Sequence, residues 1–406
     1  MFSLADQERG VGWNPRASPE SQWQLGRTRA LLDFAGAPDH QLRIALVAGT
    51  KGKGSTCAML ASILGAAGAR CGLYTKPHLQ SYRERIRVDG VAVSPGDFTQ
   101  QMERFREFSS RLPPDAGEPT TFEVTTAIAL DYFAQKQCEY GIIEVGLGGR
   151  LDATNATEPE LSIITSISYD HTAILGRTLG AIATEKAGIL RAGRTALLAQ
   201  QRPAAHAALK RACRRVGARC ASVPPLDHDV PMAGPHQRQN AALAVAAART
   251  LAPHIPQAAI DAGLKRVRWA GRFEVVGNVI LDGAHNGASA DALAQTLDRY
   301  ADGRDITLVI GINRDKDARA VLRPLVKVAR CAYATQAQHS PRALPAGELG
   351  RLCRRMGIET HVEADLGRAL AAATHDEAQL VCVTGSLLLV GQARAALGLP
   401  VPERLW

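Results

Sequence analysis

The chain reads as a two-lobed α/β protein: a larger N-terminal lobe on a parallel sheet with a phosphate loop, and a smaller, Rossmann-like C-terminal lobe. Three observations predict this. Short apolar runs alternate with segments of helical spacing along most of the sequence, the pattern of strands covered by helices on both faces. A glycine-rich turn stands where the first such run gives way to the first helical segment. The length, 406 residues, exceeds what one core ordinarily fills.

The elements follow in order. Ile44–Ala48 is an apolar run that stops at Gly49, and Met59, Leu60, Ile63 and Leu64 repeat at helical spacing behind it. Gly141–Val145, Leu161–Thr165 and Thr195–Ala199 read as further buried strands. Leu179–Leu190 and Asn240–Leu251 read as helices. Phe273–Val276 and Val279–Leu281, parted by Gly277-Asn278, suggest a hairpin. A helix over Ala288–Tyr300, a strand over Ile306–Ile310 and a helix over Arg319–Ala329 come next. The strand Gln379–Thr384 and the helix Leu387–Ala396 close the chain. The boundary is expected between Gly263 and Gly271, giving lobes of 1–267 and 268–406. Prolines and glycine make Leu112–Pro119 a candidate mobile loop.

Composition narrows the functions. Hydrophobic residues make up 46% of the chain, enough for packed cores and too many for a disordered protein. The net charge of +9 favours anionic partners such as nucleotides, phosphates and carboxylates. Nucleic acid is a poor fit. The basic clusters Arg83–Arg87, Lys210–Arg215 and Arg351–Arg355 are short and lack interleaved aromatics. No apolar run approaches the ~18 residues of a membrane span, and Met1–Gly10 shows no secretory pattern. The eight cysteines are scattered, with no Cys-x-x-Cys pair, and Cys213 and Cys220 lack partners at metal-binding spacing. Reduced, mostly buried thiols are expected.

The most informative segment is Gly49-Thr50-Lys51-Gly52-Lys53-Gly54-Ser55-Thr56, between strand and helix. Its glycines let backbone N–H groups turn towards phosphate oxygens, and the following helix adds the positive end of its dipole. Lys53 is placed to reach the outer phosphates, and Ser55 or Thr56 to offer a hydroxyl to Mg²⁺ or phosphate. The strict phosphate-loop pattern has Ser or Thr directly after the lysine, whereas here Gly54 intervenes.

This loop resembles the nucleotide loop of the Mur ligase superfamily, and its Lys-Gly-Ser form resembles the folylpolyglutamate/dihydrofolate synthase branch. Other segments are similar to that family in the same order. They are Gly72–Leu79 with Glu84–Val88, Phe122–Thr126, Glu144–Asn155, Asp170-His171, Glu185–Gly188, Trp269–Arg272, Asp282–Asn286 and Val383–Ser386. The resemblance spans nearly the whole chain. It implies a cytoplasmic, monomeric ligase that uses ATP and Mg²⁺ to add L-glutamate to dihydropteroate or folate through an acyl phosphate, without nucleic-acid or membrane partners. A Mur-type ligase with another acid and amino acid is one alternative. A nucleotide-binding relative without ligase chemistry is the other.

The resemblance also implies roles. Lys53, Glu144, His171 and Lys186 form the catalytic set, with Glu144, His171 and Ser55 holding Mg²⁺ and Lys186 carbamylated by CO₂. The position of Glu144 at a strand end agrees, because such carboxylates face the ligand crevice of a parallel sheet. ATP would lie against Gly49, Thr50, Gly52, Lys53, Gly54, Ser55 and Thr56, with Asn240 at adenine and Arg272 at phosphate. Asp282 would hold the ribose or the surroundings of Arg272, and His285 would face the nucleotide. Phe122 and Asp152, with Thr121, Glu123, Leu151 and Ala153, would line the acceptor site, although Asp152 could equally cap a helix. Three positions depart from the family pattern: Lys51 for asparagine, Gly287 for proline, and Lys76 for a serine that often binds metal. A charged ammonium cannot ligate a metal, so Lys76 would instead meet the γ-phosphate or the substrate carboxylate.

Overall fold

The structure is a computed structural model that describes residues 25–112, 116–375 and 379–406. Met1–Gly10, and Pro113–Asp115 of the expected mobile loop, lie outside the described residues.

The first sheet holds β1 (Arg43–Ala48), β2 (Cys71–Tyr74), β3 (Ile86–Val88), β4 (Val91–Ala92), β5 (Tyr140–Glu144), β6 (Leu161–Ile164), β7 (Thr195–Ala199) and β8 (Arg219–Val223). Their spatial order is β4-β3-β2-β5-β1-β6-β7-β8. The pairs from β2 to β8 are parallel, whereas β3 and β4 run antiparallel at one edge. The all-parallel expectation is corrected there: β3 and β4 turn back on themselves through Asp89 and Gly90, which hold φ of 50° and 78°.

The strands that the apolar runs announce are the buried central ones. The edge strand β8 is largely exposed and left no hydrophobic signal. Behind β1, the helix Lys53–Ala66 is buried on nearly every side. It lies between the sheet and the helices Gln237–Leu251 and Gln257–Arg266, sharing one core with Leu251, Ile260 and Leu264. The hydroxyl of Ser62 donates to the Gly263 carbonyl (2.7 Å), and a side chain at Gly263 would strike the Ile63 backbone. The opposite face is covered by the helix Thr121–Gln135. That helix begins with a capping box, Thr120 to Glu123, which the apolar pattern had not revealed.

The second sheet contains β9 (Glu274–Val276), β10 (Val279–Leu281), β11 (Ile306–Ile310), β12 (Cys331–Ala334), β13 (Glu359–Val362) and β14 (Leu380–Thr384), in the order β13-β12-β11-β14-β10-β9. The expected hairpin is present, with Val276 opposite Val279. The expected helix over Arg319–Ala329 runs instead from Ala318 to Leu325, with Pro324 in its last turn; the missing N–H and fixed φ of proline favour an early end. The helix read as Leu179–Leu190 stops at Lys186 and tightens into a 3₁₀ turn over Ala187–Ile189.

The thiol expectation also needs correcting. Cys213 and Cys220 form a disulfide. The helix Pro203–Val216 turns at Gly217 (φ 75°) into β8, and this brings the two residues side by side. Six cysteines are free, five of them buried.

Among the described segments that cross between the lobes are the C-terminus and the connection after β2. The last residues return to the first sheet: Leu405 N donates to Gly90 O (3.0 Å) and Ala92 N to Glu403 O (2.7 Å), while Leu405 and Trp406 pack into the first core. The segment after β2 does the reverse. Leu79 packs with the second core, and Arg394 donates to the Gln80 side chain (2.9 Å). The Glu84 carboxylate fixes the bend by accepting the N–H groups of Leu79, Gln80 and Ser81 (3.0, 2.8 and 2.6 Å). A Cβ at Gly391 would run into the Leu79 carbonyl. Gly391→Val should therefore force the lobes apart at this point, with an overpacking cost of about 1–3 kcal/mol. Chemical denaturation of the full chain measures it, and an unchanged midpoint would show that Leu79 yields freely.

Candidate active site

Strands β2, β5, β1 and β6 are neighbours and parallel, so their C-terminal ends deliver four loops to one place. β1 delivers the glycine-rich turn. Gly49 (φ 147°) faces Thr165 so closely that a Cβ would overlap the Thr165 hydroxyl, and a Cβ on Gly52 (φ 89°) would run into the Asn240 amide. Only glycine allows both the backbone angle and the approach. The turn is tied to the loop after β6. Thr50 N donates to Ser166 O (2.8 Å), Ser168 N donates to Thr50 Oγ1 (3.1 Å), and Thr50 Oγ1 donates to Ser168 O (3.2 Å).

Two ammonium groups converge on the turn. Lys53 Nζ and Lys186 Nζ both donate to the Gly49 carbonyl, at 3.2 and 2.8 Å. Lys186 comes from the end of the helix Leu179–Lys186 and is buried. Burial, with Lys53 nearby, lowers its pKa to about 7, although Asp170 and Asp152 oppose this. Lys51 is lowered to about 8, again chiefly by burial. It pairs with Asp170 Oδ2 (3.2 Å). Burial by itself would raise the Asp170 pKa, but Lys51 and its other cationic neighbours outweigh it and hold the group near 2.

Glu144 is the last residue of β5 and is 4% exposed. Burial raises its pKa, opposed first by Lys53. Its Oε1 lies 3.9 Å from Lys53 Nζ, and its Oε2 accepts Lys76 N–H at 3.1 Å. A Cβ on Gly54 would stand 3.3 Å from Oε2 and 3.2 Å from the Trp269 ring, so the carboxylate faces the start of the helix. His171 follows Asp170, with φ 49°. Its ring is partly exposed. Crowding against the protein and the charges of Lys316, Lys76 and Lys53 favour the neutral imidazole, against the pull of Asp170. Neutral imidazole is the form that ligates metal.

The second lobe brings Asp282–Asn286 to the same place. Asp282 accepts Phe273 N–H and Ala284 N–H (2.8 and 2.9 Å), so both oxygens hold backbone around Arg272. Burial raises its pKa, with Arg272 opposing. His285 Nδ1 pairs with Gly283 O (2.8 Å), and burial lowers its pKa to about 4. Asn286 Nδ2 reaches across to Asp170 Oδ2 (3.3 Å), a direct bridge between lobes. Asn240 is buried beneath Gly52 and donates to Gln237 Oε1 (2.8 Å). Ser55 and Thr56 are buried at the helix start, and the Thr56 hydroxyl has no hydrogen-bond partner among the described residues.

The expected acceptor-site residues separate. Phe122 stacks on Tyr74 (centroids 5.9 Å apart), and a Cβ on Gly146 would lie 2.6 Å from Phe122 Cζ and 2.8 Å from Asp152 Oδ2. Phe122, Gly146 and Asp152 are therefore one cluster. Asp152 caps the turn Ala153–Ala156 through Thr154 N (3.1 Å), while its Oδ2 accepts Leu147 N–H (2.7 Å). Leu151 and Ala153 flank it. Thr121 and Glu123 are buried in the fold. Glu123 is consumed by Arg27 (2.9 Å) and by the Thr120 amide (2.6 Å), so its side chain belongs to the framework. Sequence reading missed Asn286, Trp269 and Lys316 as members of the site. The charge of Lys316 reaches Asp170, His171 and His285. Its run Asn313–Asp317, following β11, was the available signal.

The sequence matches the Mur ligase middle domain over residues 47–216 and the Mur ligase glutamate ligase domain over 271–387. The dihydrofolate synthase/folylpolyglutamate synthase of Bacillus subtilis is 33% identical, over 92% of this chain and 94% of its own length. This chain belongs to the folylpolyglutamate/dihydrofolate synthase family of Mur ligases. The Escherichia coli family member is 34% identical over 83% of this chain and 82% of its own length. The family's folylpolyglutamate synthase from Mycobacterium tuberculosis, solved with ADP and AMPPCP, superposes with a TM-score of 0.86 at 31% identity, covering 94% of this chain and 97% of that one. The family member from Yersinia pestis, solved with Mn, AMPPNP and L-glutamate, gives 0.83 at 28% identity, covering 95% and 100%.

Lys186 supplies a pH test. Its folded pKa of about 7 lies below the ordinary 10.5, so between these values the unfolded chain binds more protons. Folding stability must then rise with pH across that window, and the cost of the buried charge is fully present below it. Relative to Lys186→Met, the wild type should gain at most about 1.4 kcal/mol per pH unit from pH 7 upward. Urea titrations at pH 7, 8 and 9 read the slope, and parallel curves would refute the shift.

Proposed function

We propose that the chain adds L-glutamate to dihydropteroate, folates or both, with ATP as the energy source, through an acyl phosphate. The observation that carries this reading is the meeting of three parts at one sheet edge. They are a glycine turn ringed by Lys51, Lys53 and Lys186, a buried carboxylate at Glu144, and the Phe122–Asp152 cluster beyond Lys76.

A carboxylate at neutral pH is a poor electrophile, so an amide bond requires its activation. An oxygen of the acceptor carboxylate attacks the γ-phosphorus, the bond to the bridging oxygen breaks, and ADP departs with the electron pair. The amino nitrogen of glutamate, as the free base, then attacks the acyl carbon. The tetrahedral adduct expels phosphate, and the nitrogen loses its proton. The protein's part is mostly positioning and charge neutralisation. Thr50 and Lys51 spend their N–H groups on the Ser166 carbonyl, so the amides of Gly52–Ser55 and the dipole of the helix Lys53–Ala66 are the ones to face the phosphates. Lys53 follows the terminal phosphate as charge builds. Arg272 and His285 approach from the second lobe, and closure across the Asp170–Asn286 bridge keeps water from the acyl phosphate.

The donor set suits a hard divalent cation. Glu144 is buried among positive charges, His171 favours its neutral form, and Ser55 offers a hydroxyl. No group of three or more His, Cys, Asp or Glu gathers among the described residues. This agrees with Mg²⁺, which keeps waters and phosphate oxygens and needs only one or two protein carboxylates. Such an ion would screen the phosphates and polarise the γ-phosphoryl group. The protein is read as a monomer, for which light scattering should read close to 43.3 kDa. The described helices include none long and apolar enough to cross a membrane. The need for ATP favours the cytoplasm as the site of reaction.

With ATP and Mg²⁺, ADP formation should require both dihydropteroate (or a folate) and glutamate, and Glu144→Gln should lower kcat by about 100-fold or more. ADP release with neither partner, or with a different acid, would reject the assignment. Lys186 at a pKa near 7 has a large neutral fraction at physiological pH. Its nitrogen can then add to CO₂ and lose a proton, giving a carbamate anion. A carbamate resonance in the ¹³C spectrum of enzyme equilibrated with ¹³C-bicarbonate, absent from Lys186→Met, is the expected result; its absence from wild type would remove this modification.

A further inference from the structure

We infer that the edge strand β8 and the arginines around it form a docking surface for an extended acidic segment of a partner protein. This surface is separate from the ligase site and follows from where the charge lies. Residues 187–226 hold eight Lys and Arg and no Asp or Glu. The rest of the chain holds 40 and 39, so nearly all of the net charge of +9 comes from this one stretch. In the fold it spans one unit, β7, the helix Pro203–Val216 and β8. Arg191 pairs with Glu158 (3.2 Å). Arg194, Arg202, Arg211, Arg214, Arg215 and Arg219 are exposed and enter no ion pair among the described residues.

Several of these gather at one end. Arg219 N donates to Arg194 O (2.9 Å) and Gly193 N to Gly217 O (3.0 Å), so the strands and the helix end meet there. The Cys213–Cys220 disulfide, with Cα atoms 6.2 Å apart, keeps Arg214, next to one cysteine, near Arg219, next to the other. This end lies opposite the strand ends that build the active site, so a partner seated here leaves the cleft open. Ordinary causes account for part of the arrangement. Cations suit the last turn of a helix, and a charge at a sheet edge deters unwanted pairing. Neither explains Arg202 at the helix N-cap, where a cation is unfavourable, or the lack of any acid throughout the stretch.

The chemistry points to an acidic polypeptide. β8 is the outer strand of its sheet and is largely exposed. The Arg219 amide faces β7, so by the alternation along a strand the amides of Cys220 and Ser222 face outwards. An added strand can pair with them while its carboxylates take the guanidinium forks. Residues 187–226 contain no Phe, Tyr or Trp, so the bases of a nucleic acid would find no ring to stack on.

The test titrates the full chain into a fluorescent peptide of alternating threonine and glutamate, read by anisotropy at about 50 mM salt, where surface charges are weakly screened. The wild type should hold this peptide at least about tenfold more tightly than its counterpart with glutamine for glutamate. The triple variant Arg214→Ser/Arg215→Ser/Arg219→Ser should abolish that preference. Ser222→Pro removes an outward N–H, which an edge strand tolerates, and should weaken the acidic peptide by about fivefold. Unchanged circular dichroism shows that both variants are folded. Equal binding of the two peptides by the wild type overturns the proposal without any variant. A preference that survives the arginine changes, or an affinity untouched by Ser222→Pro, overturns it too. So does tighter binding of oligouridine or of phosphatidylserine vesicles, which would assign the arginines to nucleic acid or to a membrane.

Discussion

A carboxylate buried at the end of a central strand is the constraint around which the site is arranged. Glu144 is almost fully removed from water, and burial alone would drive it towards the neutral acid. The fold answers with positive charge and one amide: Lys53 from the turn after β1, Lys76 N–H from the connection after β2, and Arg272 from the second lobe. Each comes from a different loop, and those loops meet only because β2, β5 and β1 are adjacent and parallel. The geometry that places the carboxylate therefore also recruits the cations that a nucleotide's phosphates require.

The same logic explains why the lysines differ. Lys186 is pushed to about 7 because it is buried next to other cations, whereas Lys51 retains more of its charge through Asp170. An ammonium near its midpoint can lend its nitrogen to chemistry, while a paired one serves as a fixed charge. Asp170 links this charge arrangement to the second lobe through Asn286. The opposite side of the cleft is held by Glu84, Leu79 and Gln80 against Gly391 and Arg394. Lobe position is thus coupled at two places to the residues surrounding the phosphate turn.

Much of the fold was legible in the sequence because its central strands are buried on both faces and its turn is rich in glycine. β1, β5, β6, β7, β11 and β14 carry continuous apolar runs, and the helix behind β1 shows its period directly. The edge strands β8 and β13 are largely exposed, so hydrophobicity could not reveal them. The disulfide between Cys213 and Cys220 was illegible for a related reason. Seven residues apart in sequence, the two are neighbours only because a helix doubles back at Gly217. In the site, glycine spacing and residue type pointed to Lys53, Ser55 and Glu144. Trp269 and Asn286 lay in segments already singled out, but their contacts with Gly54 and Asp170 exist only in the packed chain, and Lys316 lay in a segment that carried no motif.

By itself, the sequence determined the alternation of strand and helix, the phosphate-loop chemistry of Gly49–Thr56 and the family to which the motifs belong. These are local properties, carried by side-chain period and by the backbone freedom of glycine. The tertiary structure decided which charges face one another. It assigned Glu123 to Arg27 and the helix cap, seated Lys76 over Phe122 with its amide on Glu144, and buried Lys186 against the Gly49 carbonyl. Such assignments depend on desolvation and on contacts between residues tens to hundreds of positions apart, and only the packed chain brings these about.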